Sequence, residues 1–223
     1  MPLPLSAIQG SSELMNRYKL SDEKQKQLSL QIHTESKRLA GMIQTFLDVE
    51  RLSAGQMNLK TEPFEIAKIL TTCVDRVRPL AERKSINLQL HECVSATVHG
   101  DRELMEYAVY NLLTNAVKYS PAETKVDVNA SLCEGLLSVA VQDEGIGMSA
   151  EELKKIGQKF YRTTKAEQSG EVGTGIGLSI VQQIINHHGG RLKVTSSPGR
   201  GSCFTMLVPA LISPASVLPE SKR

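Results

Sequence analysis

Apolar residues follow a helical rhythm in the first quarter of the chain and a mixed rhythm afterwards. Leu5, Ile8, Met15 and Tyr18 recur near helical spacing, with Gly10 and Ser11 as weak spots, and predict a first helix. Ser21-Asp22-Glu23 reads as an N-cap followed by first-turn acids. After it Leu28, Ile32, Leu39, Ile43, Phe46 and Leu47 make a stripe with a partly heptad rhythm, ending near Ser53-Ala54-Gly55. Together they predict a helical hairpin whose second arm spans roughly 30 residues, about 45 Å at the α-helical rise. The shorter first arm leaves much of the stripe uncovered, so the hairpin is expected to dimerise rather than pack only on its own domain.

From Met57 the pattern predicts an α+β domain. Phe64 to Arg83 reads as a helix starting just after Pro63, and Ile86-Asn-Leu-Gln-Leu alternates like a strand with Ala96-Thr-Val-His as its partner. Asp101 to Lys118 reads as a helix. Lys125 to Leu132 and Leu136 to Gln142 read as a hairpin turning at Cys133-Glu134-Gly135. A short helix follows Ser149, and a polar, glycine-containing stretch runs from Thr163 to Thr174. Ile176 to His187 reads as a helix stopped by Gly189-Gly190; Arg191 to Ser196 and Ser202 to Val208 read as strands joined by a Pro-Gly turn. The expected domains are a hairpin over residues 1–57, an α/β domain over 58–210 and a tail over 211–223.

Composition narrows the functional classes. The 223 residues are 40% hydrophobic, enough for a packed core, and the formal charge of +2 gives no field that argues for nucleic acid or a membrane surface. No apolar run approaches the ~20 residues a bilayer crossing needs, and no cationic leader opens the chain. The four cysteines, Cys73, Cys93, Cys133 and Cys203, are far apart and form no CxxC, which argues against a zinc site or disulfide framework. A soluble, reducing, cytoplasmic setting is expected.

Candidate chemistry is concentrated in an ordered set of segments. Asn111 and Asn115 are i and i+4 on one helix face, and a neutral amide oxygen suits Mg²⁺, which takes its charge from nucleotide phosphates. Lys118, close to that face, is a compact phosphate-binding cation, and Tyr119 offers a ring to a base. Asp143-Glu144-Gly145-Ile146-Gly147-Met148 follows a strand; its first carboxylate can accept from an exocyclic amine, and the glycines admit close backbone approach. Gly145, Gly147 and Ala150 also fit a dinucleotide-binding turn, but that reading requires an acid about 20 residues on at a second strand end, and Glu167 lies in the polar stretch instead. Phe160-Tyr161-Arg162 opens that stretch: the aromatics are expected to anchor it, and Arg162 to reach a terminal phosphate with a bidentate fork. Gly173-Thr174-Gly175-Ile176-Gly177-Leu178 then leads into a helix N-terminus, where free N–H groups and the dipole favour phosphate. Thr163 to Val172 is long enough to act as a lid.

In this order the segments resemble the N, G1, F and G2 boxes of sensor histidine kinases. His188-Gly-Gly-Arg-Leu-Lys-Val-Thr-Ser-Ser-Pro-Gly-Arg-Gly-Ser-Cys-Phe is similar to the end of their ATP-binding domain, and Pro4-Leu-Ser-Ala-Ile-Gln-Gly to the stretch just after their phosphoacceptor. The resemblance implies a two-layer α/β sandwich with a mixed sheet, shared with gyrase-type and chaperone ATPases, behind a dimerising hairpin. It implies ATP and Mg²⁺ as cofactors, with Asn115 and Asn111 holding the metal, Lys118 and Arg162 acting on phosphate as catalytic groups, and Tyr119 flanking the nucleotide. Asp143 would read the adenine amine beside Gly145 and Gly147, while Gly173, Thr174, Gly175, Gly177 and Leu178 would wall the phosphates. The implied activity is transfer of the γ-phosphoryl group to a histidine and onward to an aspartate of a response-regulator receiver domain, with a homodimer through the hairpin. Taking Pro4 as the proline of the family's His-Glu-x-x-x-Pro puts the acceptor just upstream of Met1, so normal self-phosphorylation is not expected; a kinase segment starting inside its first helix and a variant lacking the acceptor remain alternatives. The rival readings are a non-catalytic scaffold for a regulator and a serine kinase or ATPase of the same fold.

Overall fold

A computed structural model describes residues 4–53, 60–171 and 173–211. The side chains of Phe46 and Leu47, the expected hairpin end at Ala54-Gly55, the boundary at residues 57/58, the side chain of Cys93 and residues 212–223 of the expected tail lie outside what it describes. The chain divides into two compact units, Met1–Met57 and Asn58–Arg223.

In the first unit, α1 (Pro4–Arg17) packs against α2 (Asp22–Ser53). Helix α1 runs unbroken through Gly10 and Ser11, and Ser11 is buried. Helix α2 is 32 residues long and starts as its sequence predicts: the Ser21 carbonyl accepts from Gln25 N–H at 2.9 Å and its hydroxyl from Lys24 N–H at 3.4 Å. Asp22 and Glu23 then sit at the positive end of the helix dipole.

The second unit is built on a mixed five-stranded sheet, with β2 (Asn87–Cys93), β4 (Lys125–Cys133), β5 (Leu136–Asp143), β7 (Ser202–Pro209) and β6 (Arg191–Ser196) in the order β2-β4-β5-β7-β6. Only β2 and β4 are parallel. A separate antiparallel pair joins β1 (Thr61–Glu65) to β3 (Thr97–Asp101). Alternate residues Val126, Val128 and Ala130 on β4 and Leu137, Val139 and Val141 on β5 are buried. Helices α3 (Ile66–Arg83), α4 (Arg102–Tyr119) and α7 (Gly177–His187) form the second layer, and the short α5 (Ala150–Leu153) and α6 (Thr164–Gln168) come between α4 and α7 in the chain. Each buries one stripe: Ile66, Ile69, Leu70, Cys73, Val74, Val77 and Ala81 on α3 show the i, i+3, i+4, i+7 spacing. The fold is the expected α+β hairpin-plus-sandwich arrangement.

Two sequence-based expectations are corrected. Helix α3 starts at Ile66, not Phe64, because Thr61–Glu65 is a strand in which only Phe64 is buried. The strand around Leu88 does not pair with Thr97–Asp101; it pairs with β4, and Thr97–Asp101 takes β1 as partner. Leu211, placed at the start of the expected tail, still pairs with Thr97.

Helix α4 is fixed at its start by Asp101, whose carboxylate accepts from Leu104 N–H at 3.1 Å and Lys60 N–H at 3.0 Å. His188 fastens the end of α7 to the same point. Its Nε2 accepts from Asp101 N–H at 3.0 Å, so Nδ1 carries the proton and donates to Ile184 carbonyl at 2.7 Å. That histidine is structural, with both ring nitrogens bonded to backbone.

Candidate functional site

Three separate stretches of sequence meet at one cavity. Helix α4 brings Asn111, Asn115, Lys118 and Tyr119; the end of β5 and the turn after it bring Asp143, Ile146 and Gly147; the start of α7 and the loop before it bring Gly173, Thr174, Gly175, Gly177 and Leu178. The cavity encloses about 330 Å³, within the range of small-ligand sites. The segments are stitched together by their own backbones. Ile146 N–H donates to Tyr119 carbonyl at 3.2 Å, which ties the β5 turn to the end of α4. Gly177 lies against the Asn111 amide, where a Cβ would come within 2.6 Å of Nδ2, so any larger residue there would displace that amide from its place in the cavity. Gly147 has φ +60° and faces the Ser197 carbonyl, a conformation and a proximity that both select glycine.

Within the cavity, Asn115 Nδ2 donates to Asn111 Oδ1 at 3.0 Å, which orients the Asn115 amide and leaves its oxygen as an acceptor. Asp143 is 6% exposed, and burial pushes its carboxyl up to about 6. Gly145 N–H at 2.8 Å and Ser202 N–H at 3.1 Å both donate to Oδ1 and oppose that rise. Since both donors use Oδ1, Oδ2 is the atom left for a ligand. Ile176, at the N-cap of α7, offers its first turn no side-chain acceptor, while its own N–H donates to Thr174 Oγ1 at 3.2 Å.

The polar stretch after Tyr161 contains a short helix, α6 (Thr164–Gln168), capped by the Thr163 hydroxyl accepting from Ala166 N–H at 3.1 Å. Arg162 lines the cavity, and its Nη2 donates to the carbonyls of Ala166 at 2.6 Å and Glu171 at 2.8 Å. Its Nε is buried with no hydrogen-bond partner among the described residues. Phe160 corrects an expectation: it is 57% exposed with φ +66°, so Tyr161, which lines the cavity, is the inward-facing member of the aromatic pair.

Of the residues singled out from sequence, Glu144, Gly145, Phe160 and Ile176 are off the cavity lining; Gly145 supports Asp143 through its N–H. Sequence reasoning missed Thr114, Ser202 and Phe204 on the lining. Thr114 was accessible, since it shares the α4 face with Asn111 and Lys118 by helical spacing. Ser202 and Phe204 reach the cavity only because β7 pairs with β5, with Asp143 opposite Ser202. Among the described residues no cluster of three or more His, Cys, Asp or Glu side chains is placed to hold a metal.

Residues 100–212 match the family described as histidine kinase-, DNA gyrase B-, and HSP90-like ATPase. The chain belongs to that ATPase family. Residues 4–55 match the His Kinase A (phospho-acceptor) domain, so the ATPase fold is preceded by the domain that accompanies it in histidine kinases. The sensor-like histidine kinase SenX3 of Mycolicibacterium smegmatis is 32% identical over 182 residues, covering 82% of this chain and 47% of SenX3. The chain thus spans about half the length of that curated relative. Acinetobacter baumannii histidine kinase AdeS superposes with a TM-score of 0.71 at 21% identity, over 92% of this chain and 94% of that one. Full-length ShkA, solved in complex with AMPPNP, superposes with a TM-score of 0.74 at 24% identity, over 94% of this chain and 44% of that one. At these identities the two structures speak to the fold, which is that of histidine kinases. The phospho-acceptor helices and the ATPase domain are both present here, and no described helix is long and apolar enough to cross a membrane.

Proposed function

We propose that the second unit binds MgATP in the cavity between α4, the β5 turn and the start of α7, and donates the γ-phosphoryl group to a histidine. The observation that carries this reading is the meeting of an amide pair, two cations, a buried carboxylate and an uncapped helix N-terminus around one cavity. Adenine would enter on the Asp143 side, its amine donating to Oδ2 while Oδ1 stays bound to the backbone. The phosphates would lie toward Lys118 and the N–H groups of α7. Asn115 and Asn111 would hold Mg²⁺, which when bound neutralises phosphate charge; a neutral amide oxygen suits an ion whose anionic ligands come from the nucleotide. The chemistry left to the protein is positioning and charge neutralisation, with Lys118 and Arg162 as the catalytic groups. Arg162 would act on phosphate after exchanging its carbonyl partners at Ala166 and Glu171 for phosphate oxygens.

Transfer breaks the bond between the γ-phosphorus and the ADP oxygen and forms one to an imidazole nitrogen. None of the chain's five histidines lies on α1. His33 is exposed on α2, His91 pairs with Asp127 at 2.9 Å, and His188 has both ring nitrogens in structural bonds. The acceptor would be a histidine presented to the γ-phosphate, and a response-regulator aspartate would receive the group next. The hairpin unit would pair with a second copy, because Leu5, Leu14, Tyr18, Leu30 and Ile43 are exposed on it.

Calorimetric titration with MgATP tests the reading. The wild-type chain is expected to bind, and Asn115→Ala and Asp143→Asn to weaken binding about 10- to 100-fold, the range for a lost hydrogen bond involving a charged group. Asn at 143 keeps the Oδ1 acceptor but turns the ligand-facing atom into a donor. Wild-type heat indistinguishable from buffer, or unchanged affinity in both variants, would overturn it.

A further inference from the structure

Lys84 belongs to none of the motifs and does not line the cavity, yet its ammonium connects two of the segments that do. It follows α3 as the C-cap residue, and its Nζ donates to Val117 carbonyl at 3.2 Å, Lys118 carbonyl at 2.7 Å and Glu171 Oε1 at 3.1 Å. The two carbonyls are in the last turn of α4, where backbone acceptors are unpaired and the helix dipole favours a cation. Lys118, whose carbonyl is held this way, sends its side chain to the cavity wall.

The third partner is on the loop after α6, and it is held twice. Glu171 accepts from Lys84 through its carboxylate and from Arg162 Nη2 through its carbonyl, at 2.8 Å. Two residues further on, Gly173 and Thr174 line the cavity. Residue 171 is thus held by the end of α4 and by Arg162, and when Arg162 exchanges its carbonyl partners for phosphate the Lys84 ion pair is the hold that remains.

We propose that Lys84 is a positioning residue for the nucleotide site: through Glu171 it fastens the loop to the end of the helix that carries Lys118, and so sets how long a nucleotide stays bound. This rests on the nucleotide reading given above. The side chains of Lys84 and Glu171 are 29% and 32% exposed, so their ion pair adds little to global stability. Its effect falls instead on local opening of the loop.

Stopped-flow release of a fluorescent ATP analogue from the full chain, with melting temperatures recorded in parallel, tests the proposal. Glu171→Gln is expected to raise the off-rate about two- to fivefold, the range a partly exposed ion pair supports, with the melting temperature unchanged. Lys84→Met should raise it at least as much, and adding Glu171→Gln to Lys84→Met should change it no further, because one interaction is removed in both. Lys84→Arg should recover most of the wild-type rate. An off-rate in Glu171→Gln equal to wild type, or a full additional factor in the double variant, would overturn the proposal. Glu171→Gln decides alone if Lys84→Met does not fold. A wild-type chain that binds no analogue would remove the nucleotide reading itself and this inference with it.

Discussion

The hairpin and the α/β unit use apolar residues in opposite ways. Among the described residues of the hairpin the buried positions are Leu28 and Ser11, while Leu5, Leu14, Tyr18, Leu30 and Ile43 are between 45% and 66% exposed. The α/β unit buries whole stripes of α3, α4 and α7 against alternate positions of its sheet, with Leu112, Leu113, Ile184 and Ile185 fully enclosed. One region completes its core within a single chain; the other leaves its apolar seam for another surface to cover. The proposed ATP site requires fixed geometry, and its cavity lies in the self-sufficient unit. A helical pair that must present residues to other molecules can depend on assembly for its stability.

Substitutions in the two cores break this contrast most directly. Leu112→Ala, in the helix that carries the asparagine pair, is expected to cost about 2–5 kcal/mol in denaturant unfolding, since it opens a cavity at a fully enclosed site. Leu30→Ala, at a position 66% exposed, should change the stability of a dilute chain by no more than about 0.5 kcal/mol. It should nonetheless weaken self-association measured by sedimentation. Equal costs at the two sites would remove the contrast.

A smaller effect, in pH, sharpens it. Asp143 has its carboxyl raised by burial from 3.8 to about 6, so within that interval the folded chain holds a proton that the unfolded chain has lost. Its contribution to stability therefore grows as pH falls through about 6 and is complete below 3.8. Nucleotide binding runs the other way, because the ionised carboxylate is the better acceptor for an amine. Affinity for ATP is expected to fall as pH drops through about 6, and the difference between wild type and Asp143→Asn isolates this step from titration of ATP itself. Self-association through the hairpin, which contains no part of the cavity, should not follow the Asp143 titration. A wild-type pH profile parallel to that of Asp143→Asn would contradict the assignment.

Much of the site was legible because its chemistry is local. Asn111 with Asn115, Asp143 before its glycines and Gly173 to Leu178 before a helix each carry their meaning within a few residues, and helical spacing alone placed Lys118 beside the asparagines. What stayed hidden depends on pairing between distant segments. Strand β1 is five residues long with a proline and one buried side chain, so it offers no alternation to read. Parallel pairing of β2 with β4 bridges a segment that contains both β3 and α4 and leaves no local mark. Ser202 enters the site only through its register opposite Asp143, and Lys84 reaches the end of α4 only because the end of α3 lies beside it. Phe160 shows the limit of composition: a scarce aromatic was expected to be an anchor, and its positive φ turns it outward.

The most direct test is an amide-resolved NMR titration of the chain with a non-hydrolysable ATP analogue and Mg²⁺. The account predicts that the largest shifts fall together on Asn111 to Tyr119, Asp143 to Met148 and Gly173 to Leu178, saturate with one affinity, and leave α1 unperturbed. Shifts confined to one of these segments, or scattered over both units without saturation, would contradict a single nucleotide site.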